Sequence, residues 1–302
     1  MARFLVAGLI NIETTLKVDG FPIEYTPVQY PFFGVNSTVS GVGYNLSKAL
    51  TTLGDAVDLL SLIGDDDAEK LIRANLKRLY IADKYVQSTL KNTPQSVILY
   101  DAGGKRAIFT DLKDIQDQPY PLAIAEHVVN MCDMAVICNI NFSRPMLEIA
   151  KQKNKLIATD VHAISQIDDP YNRDYMASAT ILFQSHERLP VSPETWAKWM
   201  YEAYGTPIIV IGLGADGALL AVHDDHFVER ISTVYTRPVV NTIGAGDALF
   251  SAFIHEYAQT HDVYHSMRSA MVFASYKIGG IGGADGFLTG DELKSRVKQI
   301  YS

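Results

Sequence analysis

The segment Asn241-Thr242-Ile243-Gly244-Ala245-Gly246-Asp247-Ala248 decides how this chain is interpreted. It follows the β-branched stretch 238–240 and leads into a helix predicted over residues 248–259. Gly244 and Gly246 let the backbone pass close to a ligand, and the free N–H groups of the first helical turn make an anion site. Asp247 can cap the helix, or it can take a proton from a hydroxyl group that attacks phosphorus at that anion site. The segment therefore predicts a phosphate site with a carboxylate beside it, and the capping role stays open.

Strand and helix patterns alternate on the N-terminal side of this segment, and helices follow it. Short apolar runs predict buried strands, whereas apolar residues at i, i+3, i+4 and i+7 predict amphipathic helices. The predicted strands are 3–10, 57–63, 134–140, 156–160, 179–183, 207–211 and 218–222. The predicted helices are 46–53, 66–79, 144–153, 193–204, 248–259, 263–277 and 289–301. Such alternation is typical of an α/β fold in which helices cover both faces of a mostly parallel sheet.

Two segments depart from this alternation. Residues 12–39 are rich in β-branched and aromatic side chains and in turn-forming Gly and Pro, which predicts short exposed strands. Residues 94–112 contain two strand-like runs around Asp101-Ala102-Gly103-Gly104-Lys105, which predicts a β-hairpin. We expect both inserts to form a small β-sheet attached to a single α/β domain that spans residues 1–302.

The composition of the 302 residues limits the classes of function. Lys and Arg number 26 against 34 Asp and Glu, and the net charge of −8 is the wrong sign for binding nucleic acid. No run approaches the ~18 apolar residues of a membrane span, and the apolar N-terminus lacks the features of a signal peptide. Cys132 and Cys138 are too few for a disulfide framework. We therefore expect a cytoplasmic protein that binds neither membranes nor nucleic acid.

A second glycine-rich segment, Gly212-Leu213-Gly214-Ala215-Asp216-Gly217, matches the dinucleotide-binding pattern G-x-G-x-x-G. That fingerprint requires a helix to open at the third glycine, but residues 218–222 predict another strand. The pattern G-x-x-x-x-G-K-[ST] does not occur in the chain. These observations exclude a Rossmann site here and a P-loop enzyme, and they favour a tight turn.

Three motifs occur in one order along the chain. Ser40-Gly41-Val42-Gly43-Tyr44-Asn45 is similar to G-G-x-G-x-N, Ile63-Gly64-Asp65-Asp66 is similar to V-G-D-D, and residues 241–247 are similar to D-T-x-G-A-G-D. These are the signatures of the ribokinase-like (PfkB) carbohydrate kinases, which this chain resembles over nearly its whole length. Ser40 replaces the first glycine of one signature, and Asn241 replaces the first aspartate of another.

The resemblance implies a three-layer α/β/α domain whose β lid closes over a sugar or nucleoside, with ATP and Mg²⁺ on the opposite side. Asp247 would be the catalytic base. The backbone N–H groups of Gly244, Ala245 and Gly246 would form the anion hole for the transferred γ-phosphoryl group.

The resemblance also implies where the acceptor binds. The expected substrate-binding residues are Asn11, Glu13, Gly41, Gly43 and Asn45. Glu13 stands where the family usually has Asp, and carboxylate and amide groups suit vicinal hydroxyls. Asn141 is a further candidate, because it follows a predicted strand at an edge where ligand crevices open; it could equally cap the next helix.

On the nucleotide side, Gln184 and Glu187 take the place of the family's N-x-x-E, in which the acidic residue acts on Mg²⁺ through water. The expected ATP-binding residues are Gln184, Glu187, Gly212, Gly214, Gly217, Thr242, Gly279 and Gly282. The family often uses potassium near this region. Because Asn241 lacks the charge of the family's Asp, we expect weak or absent potassium activation.

The substrate stays open at this stage. Polar residues favour a small sugar, whereas Tyr25, Tyr30, Phe32 and Phe33 could stack on the base of a nucleoside. These aromatic residues could instead pack the lid onto the body or onto a second subunit, and a homodimer through the lids is expected. The departures at Ser40, Gln184 and Asn241 also keep open a catalytically silent sugar-binding regulator.

Overall fold

The computed structural model describes residues 1–280 and 283–301, and the strands in these residues form two separate sheets. In chain order the strands are β1 (Arg3–Ala7), β2 (Asn11–Lys17), β3 (Val35–Ser40), β4 (Ala56–Gly64), β5 (Val86–Leu90), β6 (Gln95–Tyr100), β7 (Arg106–Asp111), β8 (Met134–Ile137), β9 (Leu156–Asp160), β10 (Ile181–Ser185), β11 (Ile208–Gly212), β12 (Ala218–Val222) and β13 (Phe227–Ile231). The helices are α1 (Val42–Leu53), α2 (Asp67–Arg78), α3 (Leu122–Met131), α4 (Pro145–Gln152), α5 (Arg173–Met176), α6 (Pro193–Tyr204), α7 (Ala245–Thr260), α8 (Val263–Lys277) and α9 (Gly290–Tyr301).

The larger sheet has the strand order β13-β12-β11-β10-β9-β8-β1-β4-β5. Neighbours from β11 to β5 pair in parallel, while β12 and β13 join antiparallel at one edge. The prediction of a mostly parallel sheet is therefore confirmed. Because parallel strands end together, loops that follow β1, β8, β9 and β10 meet at one edge of the sheet, which is where ligand sites form in such folds.

Helices cover both faces of this sheet. One apolar cluster packs α1, α2, α7, α8 and α9 on one face, and Phe183 of β10 meets Phe250 and Phe253 of α7 there. A second cluster packs α3, α4, α5 and α6 on the other face, around Trp196 and Tyr175. Strand side chains alternate between the two clusters, as the pleat requires. The expected three-layer arrangement is confirmed.

The smaller sheet is the predicted β lid. Its strand order is β3-β2-β6-β7, with β2 and β6 parallel and the outer pairs antiparallel. Strands of both inserts therefore pair with each other as expected. The Asp66 carboxylate accepts hydrogen bonds from the Thr93 amide and hydroxyl at 2.7 and 2.9 Å, and it also caps α2. This contact ties the G-D-D motif to the turn that enters the second insert.

Some predicted boundaries differ from those observed. The predicted strand 134–140 ends at Ile137, because the Ser143 hydroxyl lies 2.6 Å from the Cys138 carbonyl and 2.8 Å from that of Ile140 and folds the chain into a short 3₁₀ turn. The helix predicted from 248 begins at Ala245, so Asp247 lies inside its first turn. Helices α3 and α5 and strands β5 and β13 were not predicted from the periodicity.

Candidate active site

The centre of the candidate site is the first turn of α7. The Asp247 carboxylate accepts a hydrogen bond of 2.8 Å from the side-chain amide of Asn45 in α1. Asp247 is half-buried and Asn45 is buried, so the bond fixes the carboxylate while part of the residue stays open to solvent. Two residues that are 202 positions apart in the chain thus form one unit.

Asn45 extends this unit towards the lid. The Ser40 hydroxyl lies 3.1 Å from Glu13 Oε2 and 3.4 Å from Asn45 Oδ1. Glu13 is only 8% exposed, so it is not a solvated carboxylate at the end of a strand. Both Glu13 and Ser40 are departures from the family pattern, and the structure shows that they contact each other. The hydroxyl of Ser40 occupies the space between the longer carboxylate and the amide.

The loop before α7 depends on its glycines. Gly244 has φ 76°, a left-handed conformation, and a Cβ there would overlap the carbonyl oxygen of Gly283. Gly246 is exposed, and a Cβ at this position would meet no heavy atom within 4 Å. Gly244 therefore fits against protein, whereas the space beside Gly246 is open. The N-cap Gly244 provides no side-chain cap for α7, as an anion site requires, but the Ala245 amide already donates to the Thr242 carbonyl at 3.2 Å.

The remaining motif glycines bring α1 against β1. A Cβ on Gly43 would lie 2.6 Å from the Gly8 carbonyl carbon, and one on Gly41 would lie 2.5 Å from the Leu9 carbonyl oxygen. Gly41 also has φ 103°, which disfavours any other residue. These two predicted substrate-binding glycines thus set the close approach that places Asn45 opposite Asp247.

Two cations lie at the same loop, and no sequence pattern pointed to either. Lys277, at the last turn of α8, has no exposed surface, and its ammonium group donates to the Ile243 carbonyl. Arg106 of the lid strand β7 reaches the Thr242 carbonyl at 3.4 Å. A lysine at a helix C-terminus usually reflects the helix dipole, and an arginine after a Gly-Gly turn is an ordinary lid residue. Their roles depend on contacts between distant segments.

The site groups change one another's proton affinity. Burial raises the pKa of Asp247, opposed by the Asn45 hydrogen bond, while the charge of Asp160 raises it further. Burial also raises the pKa of Glu13, with Ser40 acting against it and Asp247 adding to it. Burial lowers the pKa of Lys277 to about 8, although Asp247 and Asp285 act in the opposite direction. A carboxyl group with a raised pKa is a stronger base, which suits general base catalysis.

Two predicted substrate residues have local partners. Asn11 is buried in β2, and its side-chain amide donates a hydrogen bond of 2.9 Å to the Ser96 hydroxyl of β6. Its Oδ1 has no hydrogen-bond partner among the described residues. The Asn141 side-chain amide donates to the Gln116 carbonyl, and its oxygen accepts from Arg144. Asn141 therefore shapes the loop after β8, whereas Asn11 keeps a buried acceptor oxygen available beside Glu13.

The predicted nucleotide residues are distributed along the edge of the sheet. Gln184 is buried in β10, and because Phe183 faces α7, the Gln184 side chain lies on the opposite face from Asp247. Both polar atoms of its amide lack a hydrogen-bond partner in the described part of the chain. Glu187 is exposed in the loop that follows, and its backbone amide donates a hydrogen bond of 3.3 Å to the Ser185 hydroxyl. The structure therefore does not bring the Gln184 side chain onto the face of Asp247.

The glycines of this side differ in what surrounds them. Gly214 is exposed and Gly212 half-buried, and a Cβ on either comes no closer than 3.8 Å to a neighbour. A Cβ on Gly217 would instead overlap the Ile231 carbonyl, and one on Gly279 would overlap Arg237, so these two positions serve packing. Thr242 is exposed beside the loop. The predicted ATP residue Gly282 lies outside the described residues.

A divalent metal would find few protein ligands here. No group of three or more His, Cys, Asp or Glu side chains suited to a metal ion occurs within residues 1–280 and 283–301. Mg²⁺ in kinases is held by nucleotide phosphates and waters with one or two carboxylates, so the exposed Glu187 fits a contact through water. Within the same residues, no helix combines the length and apolar character needed to cross a bilayer.

This geometry agrees with what comparison with known proteins shows. A family model described as "pfkB family carbohydrate kinase" matches residues 1–289. The chain therefore belongs to the pfkB family of carbohydrate kinases.

Among curated relatives, an ATP-dependent ribose-1-phosphate kinase from Halopiger xanaduensis is 24% identical, with 89% of this chain and 90% of the relative covered. Among solved structures, a microbiome-derived acarbose kinase superposes with a TM-score of 0.88 at 20% identity, covering 98% of this chain and 99% of the other. A Burkholderia thailandensis nucleoside kinase in complex with inosine gives a TM-score of 0.79 at 17% identity, covering 99% and 97%. These structural similarities show the fold, and they include proteins named for sugar and for nucleoside substrates.

Proposed function

We propose that this protein is an ATP-dependent kinase that transfers the γ-phosphoryl group to a hydroxyl group of a small sugar, with Asp247 as the general base. The observation that carries the proposal is the Asp247 carboxylate, held by Asn45 in the first turn of α7 next to the open space at Gly246. A hydroxyl group that attacks phosphorus needs a base next to a site that binds the phosphate anion.

In this mechanism the acceptor hydroxyl binds at Asp247 and donates its proton to the carboxylate as it attacks. The Gly244-Ala245-Gly246 turn would bind the γ-phosphoryl group through its amides, and the Ala245 amide would exchange its bond to the Thr242 carbonyl for a phosphoryl oxygen. The charge of the transferred group is spread over its outer oxygens in a loose transition state. Mg²⁺, when bound with ATP, neutralises phosphate charge, and Glu187 is the residue that would hold it through water. Gly212 and Gly214 leave room for the nucleotide along the sheet edge.

The acceptor side supports a polyol. Glu13, Ser40 and Asn45 form a continuous chain of polar groups that ends at Asp247, and the Asn11 Oδ1 adds an acceptor without a partner among the described residues. Carboxylate and amide groups in such a row can bond several hydroxyls of one sugar. This arrangement favours a sugar as the acceptor.

A nucleoside is the second candidate, because a nucleoside kinase shares the fold. The aromatic residues that could stack on a base argue against it here, since Tyr25, Tyr30, Phe32 and Phe33 are each at least 76% exposed and Tyr30 stacks on Phe32. A catalytically silent regulator would not need a base at position 247 held with its carboxylate in place.

Measuring ADP release with ATP, Mg²⁺ and a panel of pentoses, hexoses, phosphorylated sugars and nucleosides tests this proposal. We expect turnover with at least one sugar and loss of that turnover in Asp247→Asn. Turnover with nucleosides alone would support the second candidate. Binding of a sugar, measured by calorimetry, without any ADP release would support the regulator and contradict the kinase.

A further inference from the structure

Lys277 is the one charged residue, among those the structure describes, whose whole surface is buried. A lysine ammonium group is costly to bury unless charges or hydrogen bonds compensate it. Its Nζ donates to the carbonyl of Ile243, the residue directly before Gly244. The buried charge therefore lies against the backbone of the proposed anion-binding turn. Apolar packing alone would not favour a charged group at this position.

The charges that face Lys277 come from four other parts of the chain. Asp247 of α7, Asp285 of the segment before α9 and Glu13 of β2 attract its charge, and Arg106 of β7 repels it. Three carboxylates and one guanidinium group therefore act on the charge of Lys277. The positive charge of Lys277 opposes the repulsion between the half-buried Asp247 and the buried Glu13.

The same region does not fit a free potassium ion. The Ile243 carbonyl already accepts from an ammonium group, and a second monovalent cation at contact distance would be repelled by it. Asn241 supplies no charge, and its side-chain oxygen accepts from the Ile243 amide at 2.9 Å. An ammonium group and a potassium ion carry the same charge and both bind carbonyl and carboxylate oxygens.

We propose that Lys277 is a built-in monovalent cation that positions the Ile243–Gly246 turn and balances Asp247, so that phosphoryl transfer needs no potassium ion. This inference rests on the proposed kinase function. Lys277 is a positioning residue, because it acts on the turn through Ile243 and on the base through its charge.

The first test uses the unmodified protein and the best acceptor from the panel. Rates are compared in potassium chloride, sodium chloride and choline chloride at equal ionic strength. We expect the rates to agree within about twofold, because the cation is part of the chain. A rise of about tenfold or more in potassium would overturn the proposal.

The second test replaces the cation. Lys277→Ala removes the ammonium group and leaves room for an ion, and we expect kcat to fall about 10²-fold with a smaller change in KM. Potassium chloride or ammonium chloride should raise the kcat of Lys277→Ala at least about tenfold, whereas choline chloride should not. Lys48→Ala is the matched control, since it removes a lysine that bonds Asp285 at 3.0 Å and leaves the bond from Lys277 to Ile243 in place. An unchanged rate, or a loss in a folded variant that neither ion restores, contradicts the proposal.

The pH profile distinguishes a cation from a packing role. Because the pKa of Lys277 is lowered to about 8, the rate of the unmodified protein should decline above that pH. In Lys277→Ala supplied with potassium, the decline should vanish, since potassium does not titrate and the facing residues Asp247, Glu13, Asp285 and Arg106 are unchanged. A decline of the same midpoint in both proteins would contradict the role of Lys277.

Thermal unfolding gives a readout that does not need a substrate. Potassium chloride should raise the Tm of Lys277→Ala by about 2–4 °C relative to choline chloride and leave the unmodified protein unchanged. If the panel yields no product, the proposed function fails while this comparison still decides the cation inference. Equal responses of both proteins to potassium would overturn the inference even if the kinase activity is found.

Discussion

The proposed acceptor side and the proposed phosphate side of the candidate site are built by different means. On the acceptor side, side chains of Glu13, Ser40, Asn45 and Asp247 bond one another in a row. On the phosphate side, the site is backbone and empty space: a Cβ on Gly246 would have no neighbour within 4 Å. Under the proposed function, a row of side chains selects the acceptor, whereas the amides of a glycine turn bind the phosphate, which is the same for every acceptor.

Asp247 lies where the two sides meet, so replacing it tests both. Asp247→Asn keeps an oxygen that can accept from Asn45 but cannot take a proton, and kcat should fall by about 10²–10⁴ with little change in substrate affinity. Kinetics and calorimetry measure the two effects. Asp262→Asn is the control, since Asp262 caps α8 and Asn caps equally well. A rate within a few-fold of the unmodified protein would remove Asp247 from the mechanism.

The pH dependence adds to this test. Burial raises the pKa of Asp247 above its ordinary 3.8, so kcat/KM should fall on the acid side with a midpoint above that value. The sign follows because the protonated carboxyl group cannot accept the acceptor's proton. The residual activity of Asp247→Asn should lack this acid limb. An acid limb that persists in the variant would assign it to another group.

The phosphate side makes opposite predictions for two glycines two residues apart. Gly244→Ala forces a side chain into a left-handed conformation and against Gly283, and it should lower the free energy of unfolding by about 1–3 kcal/mol. Gly246→Ala has room, so stability should be kept while the methyl group occupies the phosphate space and raises the KM for ATP about tenfold. Denaturant unfolding and ATP titrations separate these effects. Equal effects on stability would show that the space beside Gly246 is not a ligand space.

Substitutions on the acceptor side should change the KM for the sugar. Glu13→Gln removes a charge that can accept sugar hydroxyls, and the KM for the acceptor should rise about tenfold while that for ATP stays constant. Ser40→Ala should give a smaller rise, because it only releases Glu13 and Asn45. Ser37→Ala is the control: it lies on the same strand and bonds Thr14. If the double variant shows additive effects, Glu13 and Ser40 are not coupled.

The lid itself has two faces, and the outer one gives the smallest expected effect on activity. Val97 and Phe109 are paired across β6 and β7, and they are 42% and 60% exposed. The homodimer through the lids stays a prediction. Phe109→Asp should weaken this dimer and change the rate of phosphoryl transfer by less than a few-fold. Sedimentation measures it, with Thr110→Asp as control. An unchanged oligomeric state in Phe109→Asp would rule out this face as the contact.

The pattern of the chain predicts much of the fold. Helix α8 and strand β9 have the predicted bounds, and Gly54 ends α1 in a left-handed conformation. These features depend on local periodicity and on glycine, which neighbouring residues reveal. Strand β13 was not predicted, because it lies at the edge and three of its five residues are exposed, so it carries no clear apolar pattern.

The amino-acid sequence predicts the alternating α/β fold, the lid inserts and the glycine turn with Asp247, because each depends on a pattern of neighbouring residues. The contact of Ser40 with Glu13 and Asn45 and the burial of Lys277 against Ile243 are visible only in the folded chain. These contacts join segments that are far apart in the chain, and the electrostatic role of a side chain depends on which charges the fold brings around it.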